Sequence, residues 1–165
     1  MESTEKLMLY PYDIQSAPIV RHRNLLPNYS ITSLVSPNGW GLTEKDASCA
    51  CGGDNAYIAV NGNFESSLDS CDTVLFCEHE RLLDFKKNIF PKIRKAIEQK
   101  KNIICTMPLD EKTVYEINEM CCKNGVYFKY MGYSKNINYP EKLNSSNSVL
   151  LDMETPVIFV LGASE

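Results

Sequence analysis

The apolar runs of this chain are short, and each one ends in a cluster of polar or turn-forming residues. The clearest runs cover residues 7–10, 31–35, 73–76, 103–105 and 157–161. Continuous apolar runs that alternate with longer amphipathic stretches are typical of parallel strands buried by helices on both faces. The sequence therefore predicts a three-layer α/β domain with a mainly parallel sheet, either Rossmann-like or flavodoxin-like.

The polar clusters behind these runs indicate where a site would lie. In open α/β sheets, ligands bind outside the carboxyl ends of the strands. We therefore expect the side chains that follow the predicted strands to meet at one edge. The candidate binding residues at this edge are Tyr12, Asp13, Asn38, Gly39, Trp40, Glu78, His79 and Thr106.

Composition and charge exclude several classes of protein. The 165 residues suffice for one folded domain, and 44% of them are hydrophobic. The formal net charge is -4 and most basic residues are scattered, which disfavours a nucleic-acid surface. No apolar run approaches the roughly 20 residues needed to cross a bilayer. The first residues, MESTEK, do not resemble a signal peptide.

The cysteines indicate a reducing compartment. An odd number, seven, and no export signal favour free thiols in the cytoplasm. Cys49 and Cys51 are one residue apart, but no second cysteine pair supplies the four ligands of a structural zinc site. We predict no metal, and leave open a reactive thiol or a plain loop thiol. The sequence names no cofactor.

The chain divides into three predicted parts: a domain over 1–132, a linker over 133–156, and a final strand over 157–165. That strand either completes the sheet or begins a truncated second domain. Within the first part, two further strands are expected. We predict them at 56–60 and 126–131, and helices at 13–26, 64–70, 82–101 and 110–122, with Pro91 kinking or dividing the third.

The long polar loop over residues 36–55 is the strongest local signal for function. Loops of this length within compact domains are usually functional or mobile. Trp40, the only tryptophan, lies between Gly39 and Gly41 and presents a flat amphipathic ring. Two interpretations remain: the loop folds over a bound group, or Trp40 packs back on the domain and anchors the loop.

His79 lies between Glu78 and Glu80 directly after a predicted buried strand. This arrangement suits an acid/base pair, although acidic residues in this position also favour the start of a helix. By contrast, the first predicted strand runs into Tyr10, Pro11, Tyr12 and Asp13 rather than G-x-G-x-x-G. Ordinary dinucleotide binding is therefore disfavoured.

Five segments together resemble one family: LYPYD, SLVSPNGWGLTEKDA, DTVLFCE, NIICTMPLD and TPVIFVLG. In this order they are similar to the amino-terminal half of clostridial peptide maturation system proteins, which are encoded beside small-peptide natural-product clusters. The resemblance implies a Rossmann-like domain that a P-loop domain follows. It implies no catalytic residues.

Three hypotheses for function follow. The first is a binding domain of a peptide-maturation or natural-product pathway, with a peptide or small-molecule ligand at the carboxyl edge. The second is an enzyme domain that acts on a small metabolite with Glu78 or His79 as acid/base. The third is a structural domain that forms a homo-oligomer. An enzyme needs titratable groups from several strand ends in one cleft, whereas a partner surface is flatter and exposes aromatics such as Tyr12 and Trp40.

Overall fold

A six-stranded sheet forms the centre of the molecule. The structure, a computed structural model, describes residues 4–79 and 84–132. All five neighbouring strand pairs in this part of the chain are parallel. The strands are β1 (Glu5–Tyr10), β2 (Tyr29–Val35), β3 (Val60–Asn61), β4 (Thr73–Phe76), β5 (Asn102–Cys105) and β6 (Phe128–Tyr130).

The strand order identifies the topology. The strands lie in the order β3-β2-β1-β4-β5-β6, so the chain works outward from β1 to one side and then crosses to the other. This is the order of a doubly wound Rossmann fold, in which the reversal between β1 and β4 opens a crevice at the carboxyl edge. The predicted parallel fold is confirmed, and of the two variants the order matches the Rossmann one. The runs beginning at Leu7, Ile31, Thr73 and Ile103 are parallel neighbours, as predicted.

Helices cover both faces of the sheet. One face carries α1 (Ala17–Arg21) and α2 (Ser48–Cys51), and the other carries α3 (Phe64–Ser67), α5 (Phe90–Glu98) and α6 (Glu111–Asn124). A single helical turn, α4 (Phe85–Asn88), precedes α5. Side chains along β1 alternate between the two cores: Leu7 and Leu9 enter the first, Met8 and Tyr10 the second. The described domain is thus three-layered.

The second half of the domain follows the sequence pattern closely. The predicted 82–101 helix is divided between α4 and α5, and Pro91 stands in the first turn of α5, where a missing N–H costs little. Asp110 caps α6 by accepting a hydrogen bond from the Thr113 amide at 2.8 Å. Gly125 ends α6 in the left-handed conformation. Residues 133–165, which include the predicted linker and final strand, lie outside the described residues.

The predicted 13–26 helix is wrong in length. The α-helix spans only Ala17–Arg21 and is followed by a 3-10 turn over Arg23–Leu25. Ala17 and Val20 are its only buried residues, and Leu25 is exposed. Because the apolar face is only about one turn long, packing does not stabilise a longer helix here.

The predicted 56–60 strand is also wrong in extent, since only Val60 and Asn61 pair with β2. The carboxylate of Asp46 accepts hydrogen bonds from the amides of Ala56 and Ile58, at 2.9 and 3.2 Å. These amides are consequently directed to the long loop and not to a neighbouring strand. Tyr57 between them has φ of 59° and is exposed.

The structure predicts a sharp order of thiol reactivity. Cys49 and Cys122 are exposed and Cys51 is partly buried, while Cys71, Cys77, Cys105 and Cys121 are buried. Burial also raises the pKa of the Cys77 and Cys105 thiols to about 12. With Ellman's reagent at pH 8 we expect two fast thiols in the native protein, and all seven only after denaturation.

The double substitution Cys49→Ser and Cys122→Ser should remove the fast phase of this reaction. Buried thiols that react as fast as the exposed pair would contradict the packing of the two cores.

Candidate functional site

An aspartate and a histidine meet at the point where the strand order reverses. Asp13 follows β1 and His79 follows β4, and both residues are less than a tenth exposed. The His79 Nε2 donates a hydrogen bond to the Asp13 Oδ2. The two strand-end loops of the topological switch point are therefore joined by a buried pair of titratable side chains.

The turn after β1 holds Asp13 in place. Its second carboxylate oxygen, Oδ1, accepts a hydrogen bond from the Gln15 amide at 2.8 Å. The Ser16 hydroxyl accepts one from the Asp13 amide and donates one to the Pro11 carbonyl, each at 3.0 Å. With its carboxylate fixed by the turn, Asp13 orients the His79 ring.

Trp40 brings the long loop to the same place. Its ring centroid lies 4.3 Å from that of His79, and the two rings are tilted by 38°. Trp40 is partly buried and is not a member of either core. The loops after β1, β2 and β4 thus converge on His79, which agrees with the predicted edge.

Thr106 and Glu78 add the end of β5 to this edge. The Thr106 hydroxyl accepts a hydrogen bond from the Glu78 amide at 3.2 Å, and the Thr106 amide donates to the Phe76 carbonyl at 3.0 Å. The residue Glu78 is exposed, whereas neighbouring His79 is buried. Thr106 therefore positions the backbone from which His79 projects.

Tyr12 is buried, whereas a partner surface at this edge would expose its aromatic ring. It is fully buried beneath the long loop, and its hydroxyl donates to the Ala47 carbonyl at 2.8 Å. Burial raises the Tyr12 pKa well above its ordinary value. Of the other candidates, Asn38 and Gly39 are exposed on the long loop. Tyr12 supports this loop from below.

Sequence reasoning missed the residue that organises the long loop. The Asp46 Oδ1 accepts a hydrogen bond from the Ser48 amide at 2.9 Å, in addition to those from Ala56 and Ile58. These bonds lower the pKa of Asp46 to about 2, the Ser48 bond contributing most. An aspartate two residues before a serine at a helix start is the signature of an Asx turn and could have been recognised. The bonds to Ala56 and Ile58 have no such local signal.

In residues 4–79 and 84–132, no three His, Cys, Asp or Glu side chains converge in a way that could hold a metal ion. Among the described helices, none has the length and apolar character required to traverse a bilayer.

Comparison with solved structures reveals likeness of fold. The amine dehydrogenase of Mycobacterium smegmatis superposes with a TM-score of 0.58 at 15% identity, covering 76% of this chain and 38% of that one. Homoserine dehydrogenase of S. aureus gives 0.58 at 13% identity (79% and 33% coverage), and an NAD-binding protein from Listeria innocua gives 0.58 at 15% (78% and 35%). No family model and no curated protein sequence matches the chain.

These neighbours establish a Rossmann-like fold for this chain. The chain spans only about a third of the length of the structures it matches. At such low identity the likeness concerns architecture, because one fold carries many functions.

The turn after β1 does not fit the pyrophosphate of a dinucleotide. That group needs free backbone amides at the start of the first helix and glycines that allow close approach. Here the amides of Asp13 and Gln15 are bonded to the Ser16 hydroxyl and the Asp13 carboxylate. The carboxylate also adds negative charge where a phosphate would lie. The ordinary dinucleotide mode is therefore incompatible with this turn.

A double-mutant cycle should detect the Asp13–His79 hydrogen bond. Asp13→Asn keeps the oxygen that caps Gln15 and removes the charge facing His79. We expect Asp13→Asn and His79→Gln each to lower the free energy of unfolding, with a coupling of about 1–3 kcal/mol because the bond is buried and charged. Urea unfolding of the two single variants and the double variant measures it. Additivity within about 0.5 kcal/mol would contradict the pairing.

The lowered pKa of Asp46 predicts that the stability of the protein depends on pH in the acid range. Because its pKa is lowered to about 2 in the folded protein, its stabilising effect is complete above the unfolded value near 4 and is lost as the pH falls through 2. Asp46→Asn should be less stable than the wild type at pH 5, and the difference should shrink toward pH 2.5. Chemical unfolding across this range measures the difference.

Asp69→Asn is the matched control for this measurement, since Asp69 is an exposed aspartate remote from the long loop in sequence. A stability difference between wild type and Asp46→Asn that did not vary with pH would contradict the assignment.

Proposed function

We propose that this domain binds a peptide or small-molecule ligand at the carboxyl edge of its sheet, within a peptide-maturation or natural-product pathway. One observation carries the proposal: three separate strand-end loops bring Asp13, Trp40 and His79 into contact at the topological switch point. Crevices at such points are the usual ligand sites of this fold. The pathway rests on the five sequence segments that resemble the peptide maturation system family.

The chemistry of the edge suits recognition of a polar ligand with an apolar part. Trp40 combines a large apolar surface with one N–H donor, a combination enriched at binding interfaces. The Asp13–His79 pair is rigid because the turn after β1 holds the carboxylate from its other side. A rigid polar pair beside an aromatic ring reduces the entropy lost when a ligand is ordered.

Substitution of Trp40 tests the proposal. The probe is a synthetic precursor peptide of the kind encoded beside peptide maturation system proteins, and titration calorimetry measures its affinity. Since aromatic residues at the centre of an interface often contribute 2 kcal/mol or more, Trp40→Ala should weaken binding at least about tenfold. Trp40→Phe keeps a ring on His79 and should retain most of the affinity. In the wild type, peptide binding should also change the fluorescence of this sole tryptophan.

The opposite result would identify Trp40 as a loop anchor. In that case Trp40→Ala would cost about 3–5 kcal/mol of stability and leave the affinity for the peptide unchanged.

The Asp13–His79 pair favours one second candidate, an enzyme domain that acts on a small metabolite with Glu78 or His79 as acid/base. A buried carboxylate that orients a histidine is a recurring arrangement in general-base catalysis. Under this alternative, the wild type should convert a component of a small-metabolite extract, and His79→Gln should lower formation of that product by about 10²–10⁴-fold, as followed by mass spectrometry. A binding domain would show no product with either protein.

A further inference from the structure

A concavity opens at the carboxyl edge, on the face of the sheet opposite α1. It has a volume of about 780 Å³, within the range of small-molecule sites. Tyr10 at the end of β1 and Val35 at the end of β2 form part of its wall, together with Phe64 of α3 and Lys92 and Lys95 of α5. The neighbouring Asp13, Trp40 and His79 do not line it.

The local sequence explains why this space is not filled. Helix α3 is a single turn that begins at Phe64, so it covers little of the sheet beyond the ends of β1 and β2. Gly62 lets the long loop approach the start of α3: a Cβ there would lie 2.7 Å from the Asn38 Oδ1 and 3.0 Å from the Thr43 Cγ2. The long loop therefore forms one wall of the cavity and α5 forms another.

The apolar part of the cavity is rigid. The Tyr10 ring packs edge-on against Phe64, with centroids 5.1 Å apart, and against Phe76 at 6.1 Å. Burial raises the pKa of Tyr10 to about 12, so its hydroxyl carries no charge near neutral pH. Tyr10 and Phe64 are 4% and 6% exposed, so they form an apolar floor of the cavity to which the Tyr10 hydroxyl adds no negative charge.

Two lysines give the cavity a positive side. Lys92 and Lys95 are three residues apart on α5 and so lie on one face of the helix. The Lys92 ammonium donates to the Asn88 carbonyl at 3.3 Å and lies 5.4 Å from the centroid of the Tyr10 ring. It has three donors, so this contact leaves capacity for an anion. Within residues 4–79 and 84–132, neither lysine forms a salt bridge, although Glu65 also borders the cavity.

The geometry points to a binding site for an organic anion that carries a planar ring: the ring lies over the floor that the exposed edges of Tyr10 and Phe64 form, and a carboxylate or phosphate pairs with Lys92 and Lys95. Both anions satisfy the same chemistry, because lysine binds either as a compact positive charge. This inference goes beyond the proposed function, since it requires no ligand contact with Trp40 or His79.

Matched ligands test the inference on the wild-type protein. N-acetylphenylalanine and phenyl phosphate supply the two anions, while N-acetylphenylalanine amide keeps the ring without the charge. Dissociation constants come from ¹H–¹⁵N chemical shifts, with the Gly62, Asn63 and Lys92 amides as reporters. We expect at least one of the two anions to bind about tenfold or more tightly than the neutral amide. The tighter of the two identifies the anion, and an affinity of both anions no higher than that of the amide would overturn the inference.

Removal of the charges provides the second test. The double substitution Lys92→Met and Lys95→Met should weaken binding of the tighter anion about tenfold or more and leave the amide unaffected. Lys112→Met, at an exposed position of helix α6, is the matched control and should bind as the wild type does. Thermal unfolding shows whether each variant is folded, and the comparison of acid and amide in the wild type does not depend on the variants.

The outcomes separate this inference from the proposed function. Anion binding that depends on the lysines but not on Trp40 supports the cavity alone. Binding that Trp40→Ala weakens while the lysine variant leaves it unchanged overturns the cavity as the site and keeps the edge around His79. No shift at the reporter amides with millimolar ligand also overturns the inference.

Discussion

The central strand β1 is the constraint on which the remaining structure depends. It pairs with β2 on one side and β4 on the other, and its residues Leu7, Met8 and Leu9 are completely buried. A strand paired on both sides and covered on both faces cannot slip by one residue without exchanging its side chains between two closely packed cores. Its carboxyl end is consequently a fixed point, and the residues that follow it inherit that position.

Asp13 is the clearest consequence of this fixed point. In a dinucleotide-binding turn, glycine and free amides leave room at the end of β1 for a phosphate. In this chain the turn supplies its own anion. The Asp13 carboxylate accepts hydrogen bonds from the Gln15 amide and the His79 ring. An internal carboxylate thus replaces the phosphate electrostatically, and joins β4 to β1 by a bond that the Rossmann architecture does not itself require. The edge keeps the geometry of the fold with different chemistry.

The parts of the fold that could be predicted are those set by local pattern. Buried runs such as 73–76 and 103–105 became neighbouring parallel strands, and the Asp110 cap with Gly125 bounded α6 correctly. The wrong elements are those decided by partners distant in sequence. Residues 56–60 form a short apolar run typical of a strand, but Asp46, ten residues before Ala56, accepts hydrogen bonds from the Ala56 and Ile58 amides.

For the site, the sequence predicted which strand ends would meet, because parallel topology decides that. It did not predict which way each side chain points. Tyr12 and Asp13 are adjacent, yet Tyr12 is buried under the long loop and Asp13 faces His79. Such alternation depends on the path of the turn after β1, which strand periodicity does not describe.

The long loop connects two regions of the edge, the cavity and the cluster around His79. Asn38 borders the cavity with the lysines, and Trp40, two residues later, stacks on His79 on the other side of the loop. The flanking Gly39 and Gly41 have φ of 88° and 78°, where a residue with a Cβ is strained. The positive φ angles at these two glycines let the short segment 38–40 face both regions. A ligand that moves Asn38 would therefore also move Trp40, because only one residue, itself in a left-handed conformation, separates them.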